Sequence, residues 1–119
     1  MSNGPIVRLL EHTWRDYLEQ RAHRLVTSES RPGLIQSRNA KRARYRWVLL
    51  ASDRPTHKLA RPDAAAIRQH LREARRRGER CYLVVGFPDE PGKIVVVPAA
   101  SALRAGLIRS NVGGIEWTD

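Results

Sequence analysis

Residues 62–87 read PDAAAIRQHLREARRRGERCYLVVGF, and the fold is decided here. The first part encodes a helix over 62–77. Pro62 suits a first helical position, where its missing N–H costs nothing. Asp63 faces the positive end of the helix dipole, and Arg75, Arg76 and Arg77 face the negative end. Ala64, Ile67, Leu71 and Ala74 recur at helical spacing and form a stripe for burial, with a basic stripe of Arg68, Arg72, Arg75 and Arg76 beside it. Gly78 is the stop, because glycine accepts the left-handed conformation that ends helices. Cys81 to Phe87 is then a strand of residues that fit a pleated surface.

Working outward, Tyr45 to Ser52 begins with alternation and becomes continuously apolar, as a strand buried on both faces does. Residues 53–61 contain Pro55 and read as a loop. Residues 88–92 read as a turn and 93–97 as the returning strand of a hairpin. Residues 99–109 read as a short helix with Leu103, Leu107 and Ile108 on its apolar face, ended by Gly113-Gly114. Upstream, 5–22 reads as a helix with Ile6, Leu10, Trp14, Tyr17 and Leu18 on one stripe. A short strand over 23–28 follows, then a turn at Arg31-Pro32-Gly33 and a second strand opening at Leu34-Ile35-Gln36. Residues 37–44 read as a loop or a frayed strand end. The order is α-β-β-β-α-β-β-α, which predicts an α/β class in its α+β form: a single domain over 1–119 with helices packed on a central mixed sheet.

The composition bounds the function. The chain has 119 residues and a formal charge of +10; of its 22 basic residues 19 are arginine. Leu, Ile, Val and Phe make up about a quarter of it, enough for one modest core. No apolar run approaches the ~20 residues of a membrane span, and Met1 to Pro5 lacks the features of a signal peptide. The expected setting is soluble and cytoplasmic, with no membrane partner. The single Cys81 excludes an intrachain disulfide framework and a multi-cysteine zinc site, and its place at the head of an apolar strand predicts a buried, inert thiol.

Tyr45 to Val97 resembles the second half of the PD-(D/E)XK nuclease-like fold, the superfamily of restriction endonucleases and Holliday-junction resolvases. The shared features are the strand Trp47-Val48-Leu49-Leu50-Ala51, the helix ending at Ala74-Arg75-Arg76-Arg77-Gly78, the strand Tyr82-Leu83-Val84-Val85-Gly86-Phe87 and the returning Lys93-Ile94-Val95-Val96-Val97-Pro98. The resemblance is one of element pattern. It implies a metal site of an Asp before the central strand and an acid-x-Lys pair on it, which would hold Mg²⁺ and activate water. This sequence departs there. Tyr45 to Ala51 carries no acid, Glu29 is the only acid between Arg24 and Leu50, and Asn39 lies where an Asp would be sought. The resemblance therefore implies a degenerate member without the catalytic motif. The opening order α-β-β-β-α is also similar to the double-stranded-RNA-binding domain. The lysine-rich start of that domain's second helix is not found at Arg61-Pro62-Asp63, and the chain from Cys81 onward would be left over.

The basic residues carry the functional expectation. Arg38, Lys41, Arg42, Arg44 and Arg46 fall within nine residues with no acid among them, interleaved with Tyr45 and Trp47. Cations neutralise phosphates and rings stack on exposed bases, so this block points to nucleic acid. Arg68, Arg72 and Arg76 are secondary phosphate contacts, unless their stripe is a solvated face. The reading is a non-catalytic nucleic-acid-associated domain with no cofactor, no metal ligands and no catalytic residues. One alternative is a homodimeric interaction module built on Leu107, Ile108, Val112, Ile115 and Trp117. The other is a Mg²⁺-dependent nuclease with displaced carboxylates at Glu11, Glu29 and Asp53. His57 and Lys58, close to Asp53, read as solvated loop residues, and His70 as a boundary residue of its helix.

Overall fold

The two most continuously apolar stretches lie together. In the computed structural model, β3 (Arg44–Ala51) and β5 (Glu79–Phe87) run parallel at the centre of a six-stranded sheet. The structure describes residues 4–51, 56–58, 61–87, 90–105, 107–109 and 115–116, with side chains over 7–26, 31–51, 63–87 and 94–104. Parallel neighbours cannot be joined by a tight turn, so a crossover element must return the chain. Here it is α2 (Arg61–Arg77), preceded by the short strand β4 (Thr56–Lys58). On one side of the centre, β1 (Arg24–Arg31) and β2 (Leu34–Arg38) extend the sheet as an antiparallel meander into β3. On the other, β6 (Glu90–Pro98) pairs antiparallel with β5. The final strand, β8 (Ile115–Glu116), lies parallel to β6.

Strand alternation sorts the core into two layers. Tyr45, Trp47 and Leu49 of β3 point to the face covered by α1 (Gly4–Gln20), where Leu10, Trp14 and Leu18 are buried. Val48 of β3 and Leu83, Val85 and Phe87 of β5 point to the opposite face, under Ile67 of α2 and Ala99 and Ala102 of α3 (Ala99–Ala105). The first layer is aromatic: the rings of Tyr45, Trp47 and Tyr82 form a triangle with centroids 5.3, 5.2 and 6.1 Å apart, and Trp14 meets Trp47 edge-on at 5.3 Å. One hydroxyl serves two of the polar atoms there. Trp47 Nε1 donates to Ser37 Oγ at 2.9 Å, and the same oxygen lies 2.9 Å from His23 Nδ1.

The α+β class and the element order agree with the sequence reading, and several boundaries move, among them the start of β6 at Glu90, inside the expected 88–92 turn. The first helix stops at Gln20 rather than 22, because Ala22 takes φ +62° and the N–H of His23 returns to Leu18 O at 2.9 Å. The expected turn at Arg31-Pro32-Gly33 is present, with Gly33 at φ +79°, but β1 runs on to meet it. The 37–44 stretch, expected as a loop or a frayed strand end, divides between the two. Ser37 and Arg38 end β2, Arg44 opens β3, and only 39–43 turn. Within the expected 53–61 loop, Thr56–Lys58 forms β4, and its partner β7 (Leu107–Arg109) takes the end of the expected 99–109 helix. Cross-strand pairing is a long-range contact that local periodicity does not register.

Ser37→Ala removes the acceptor of one buried indole N–H and the partner of a buried imidazole. The expected loss is about 1–3 kcal/mol, the usual cost of such a deletion, read as a lower urea midpoint with unchanged slope. A variant as stable as the parent would show that the bond is dispensable.

Candidate nucleic-acid interface

The β2–β3 turn is held by its first residue. Asn39 Oδ1 accepts the backbone N–H groups of Lys41 at 3.0 Å and Ala43 at 2.9 Å, and Asn39 N donates to Ala43 O at 3.0 Å. Arg42 sits at φ +66° within the arch. Asn39, at the position where the nuclease resemblance would seek an Asp, therefore acts as a turn residue. The arch displays Lys41 and Arg42 at its tip and Arg38 and Arg44 at its base, all four exposed.

Register then places further arginines beside it. Arg24 of β1 faces Arg38 of β2, Arg38 faces Arg44 of β3, and Arg44 faces Glu79 of β5. Directly paired residues share a sheet face, so these four form one row on the α2 side. Helix α2 ends at the same edge, where Arg44 Nη1 donates to Arg77 O at 3.4 Å. A cavity of about 470 Å³ is lined by Ala22, Arg24, Arg38, Asn39, Ala40 and Arg42. A smaller one of about 150 Å³ is bounded by Val26, Gln36, Ser37, Arg38, Arg44, Arg77 and Glu79. Arg38 borders both. Among the described residues, no carboxylate pairs with Arg24, Arg38, Lys41, Arg42 or Arg44.

Arg46 departs from the expected cluster. Its side chain is fully buried, so it is not a surface phosphate contact. The reason is strand parity: it points under α2, where Nη1 meets Glu73 Oε2 and Nε meets Glu79 Oε1, each at 2.8 Å. Nη1 also donates to His70 Nδ1 at 3.0 Å, while Gln36 Nε2 donates to the other Glu79 oxygen at 2.7 Å and Arg31 reaches Glu73 at 3.0 Å. Burial, then the charges of Arg46 and Arg31, hold the His70 imidazole below its ordinary pKa. Burial pushes the Glu73 carboxyl up, but the Gln69 hydrogen bond and the charges of Arg46 and Arg31 outweigh it and leave it below the ordinary value. The interleaved aromatics are also internal, since Tyr45 and Trp47 are both buried.

Arg68, Arg72 and Arg76 are exposed on α2 and border neither cavity; Arg77, not singled out from sequence, does. Only register brings Arg24 into the row, so no local signal marks it. Cys81 is half-buried rather than buried as expected, and burial outweighs the Arg46 charge to push its thiol up to about 12. Of the displaced carboxylates, Glu11 pairs with Arg15 on α1 at 3.2 Å, Glu29 lies in β1, and Asp53 lies outside the described residues. No cluster of three or more His, Cys, Asp or Glu able to hold a metal occurs among the described residues. Leu107, Ile108 and Ile115, expected at a dimer contact, belong to β7 and β8; Val112 and Trp117 lie outside the described residues. Among the described residues, no helix is long and apolar enough to cross a membrane.

No protein-family model, curated protein or solved structure matches the chain.

Two predictions follow from the buried network. Arg46→Met leaves two carboxylates without their shared cation, and the expected cost at neutral pH is about 3–5 kcal/mol. The deficit should shrink in acid as the carboxylates discharge; denaturant titrations at two pH values check both points. The pH profile of the parent has two stages. His70 resists protonation when folded but takes a proton near 6.5 when unfolded, so stability falls as pH drops below ~6.5. Glu73, depressed when folded, adds a second fall as pH drops through the carboxylate range. His70→Gln should abolish the first stage and keep the second.

Proposed function

We propose that this chain is a non-catalytic nucleic-acid-associated domain with a nuclease-like fold, which grips the phosphate backbone at the β2–β3 end of its sheet. The observation that carries the reading is the row Arg24, Arg38 and Arg44, joined by Arg42 and Arg77 around two adjoining cavities, the larger of which no acid borders. Guanidinium groups present planar forks that match phosphate oxygens, and a surface of this charge attracts polyanions from a distance. The order α1, β1, β2, β3, α2, β5, with the short β4 inserted before α2, is compatible with the nuclease resemblance. Support for the non-catalytic part comes from β3. It bears no acid, and the two carboxylates that meet it from α2 and β5, Glu73 and Glu79, are engaged by Arg46. The setting we propose is cytoplasmic, where an unpaired cysteine stays reduced.

The test is fluorescence anisotropy with a short labelled duplex over a range of salt. The expected result is binding that weakens steeply with salt and changes little with base sequence. Replacing Arg38, Arg42 and Arg44 together by alanine should abolish it at moderate salt. Replacing Arg68, Arg72 and Arg76 together should weaken it by a smaller factor. No binding at low salt would sink the proposal.

A further inference from the structure

We infer that the two cavities are neighbouring phosphate subsites for one strand of a double helix, bridged by Arg38; this rests on the nucleic-acid reading above. The first support is the cross-strand row itself. Neighbouring strands lie about 4.8 Å apart, so Arg24, Arg38 and Arg44 bring three like charges into direct opposition on one sheet face. Like charges at paired positions destabilise a sheet. Among the described residues no carboxylate pairs with any of the three, and an anion lodged between successive guanidinium groups would relieve the repulsion at both pairs.

The second support is how the cavities divide the row. The larger one takes Arg24, Arg38 and Arg42, and the backbone positions at φ +62° (Ala22) and +66° (Arg42) both lie on its wall. The smaller one takes Arg38, Arg44 and Arg77. Glu79 also borders it, but its two oxygens are held by Arg46 Nε and Gln36 Nε2, so its charge is compensated. Arg38 alone among the arginines borders both cavities, as a residue contacting two consecutive phosphates must.

The third support selects the double helix. Single strands are gripped largely by stacking of bases on aromatic rings. Among the described residues, Trp14, Tyr45, Trp47, Tyr82 and Phe87 are buried. Tyr17 is half-buried, stacked on Trp14 at 4.7 Å with the Arg21 guanidinium over its ring at 5.1 Å. What remains for recognition is charge on a hydrogen-bonded hairpin of fixed shape, which suits the regular phosphates of a duplex.

The experiment compares salt slopes and thermal shifts of the full chain. With a labelled DNA duplex, Arg38→Gln, Arg42→Gln and Arg44→Gln should each lower the slope of log affinity against log salt by ~0.9, one unit charge apiece, and Arg38→Gln should cost several-fold more affinity than either of the others, because it removes a contact at both subsites. A single strand of the same length should bind at least tenfold more weakly than the duplex. Without nucleic acid at low ionic strength, Arg38→Gln should raise the melting temperature, and inorganic pyrophosphate should raise that of the parent but not of the variant. If the duplex binds and Arg38→Gln costs no more affinity than Arg42→Gln does, the shared-subsite inference is overturned while the nucleic-acid reading stands. The same holds if Arg38→Gln lowers the melting temperature, which would make the row a structural device. A single strand that binds as well as the duplex overturns the choice of double helix. If no nucleic acid binds at all, the functional reading fails and this inference with it.

Discussion

The guanidinium of Arg46 ties together three elements that the chain order keeps apart. It projects from β3, is capped by Glu73 and His70 of α2, and is met from the side by Glu79 of β5. Each partner lies 24 to 33 residues further along the chain. Removing an arginine from water is expensive, and the arrangement is tolerable only because carboxylates and an imidazole nitrogen meet it at close range. Such a network fixes the geometry of the crossover more than it adds net stability: α2 must lie over β3 at the height where Glu73 meets Arg46. One Arg46 atom, Nη2, and the Gln36 oxygen opposite it in register have no hydrogen-bond partner among the described residues. The network is satisfied at most of its atoms and leaves these two as its weak points.

The same crossover positions the basic edge. Because α2 is anchored at Glu73, its last turn arrives beside the base of the β2–β3 hairpin, and Arg77 comes to Arg44. Charge is thus handled in opposite ways a few residues apart on β3. Arg46 is neutralised internally, where water is excluded and a lone charge would be intolerable. Arg44, two residues earlier on the same face, lies beyond the cover of the helix core and keeps its charge in solvent. The interior is built for one compensated cation, and the edge accumulates uncompensated ones.

Much of this was legible in the residues. The helix from Pro62 to Arg77, its stop at Gly78 and the strand that follows all follow from local rules of dipole, capping and periodicity. The Arg31-Pro32-Gly33 turn was equally plain. Residues 37–44 are polar without being irregular at their ends. Arg38 and Arg44 are strand residues at an exposed edge, where polar side chains are compatible with full pairing. The interleaving of Tyr45 and Trp47 with Arg44 and Arg46 does not mix rings with cations, because alternation along a strand sends neighbours to opposite faces. The rings face α1 and the cations face α2, so they never share a surface.

The class of the fold, the run of its main elements, the excess of arginine and the lack of acids along β3 can be read from the residues in order. Each is a property of single residues or of neighbours within a turn or two. Which arginines belong together is settled by folding alone. Pairing register joins Arg24, Arg38 and Arg44 across three strands, and the crossover brings in Arg77. Side-chain parity withdraws Arg46 into the core. The physical reason is that a charge acquires its role from what lies within a few ångströms of it, and in this chain those neighbours come from segments far apart in sequence.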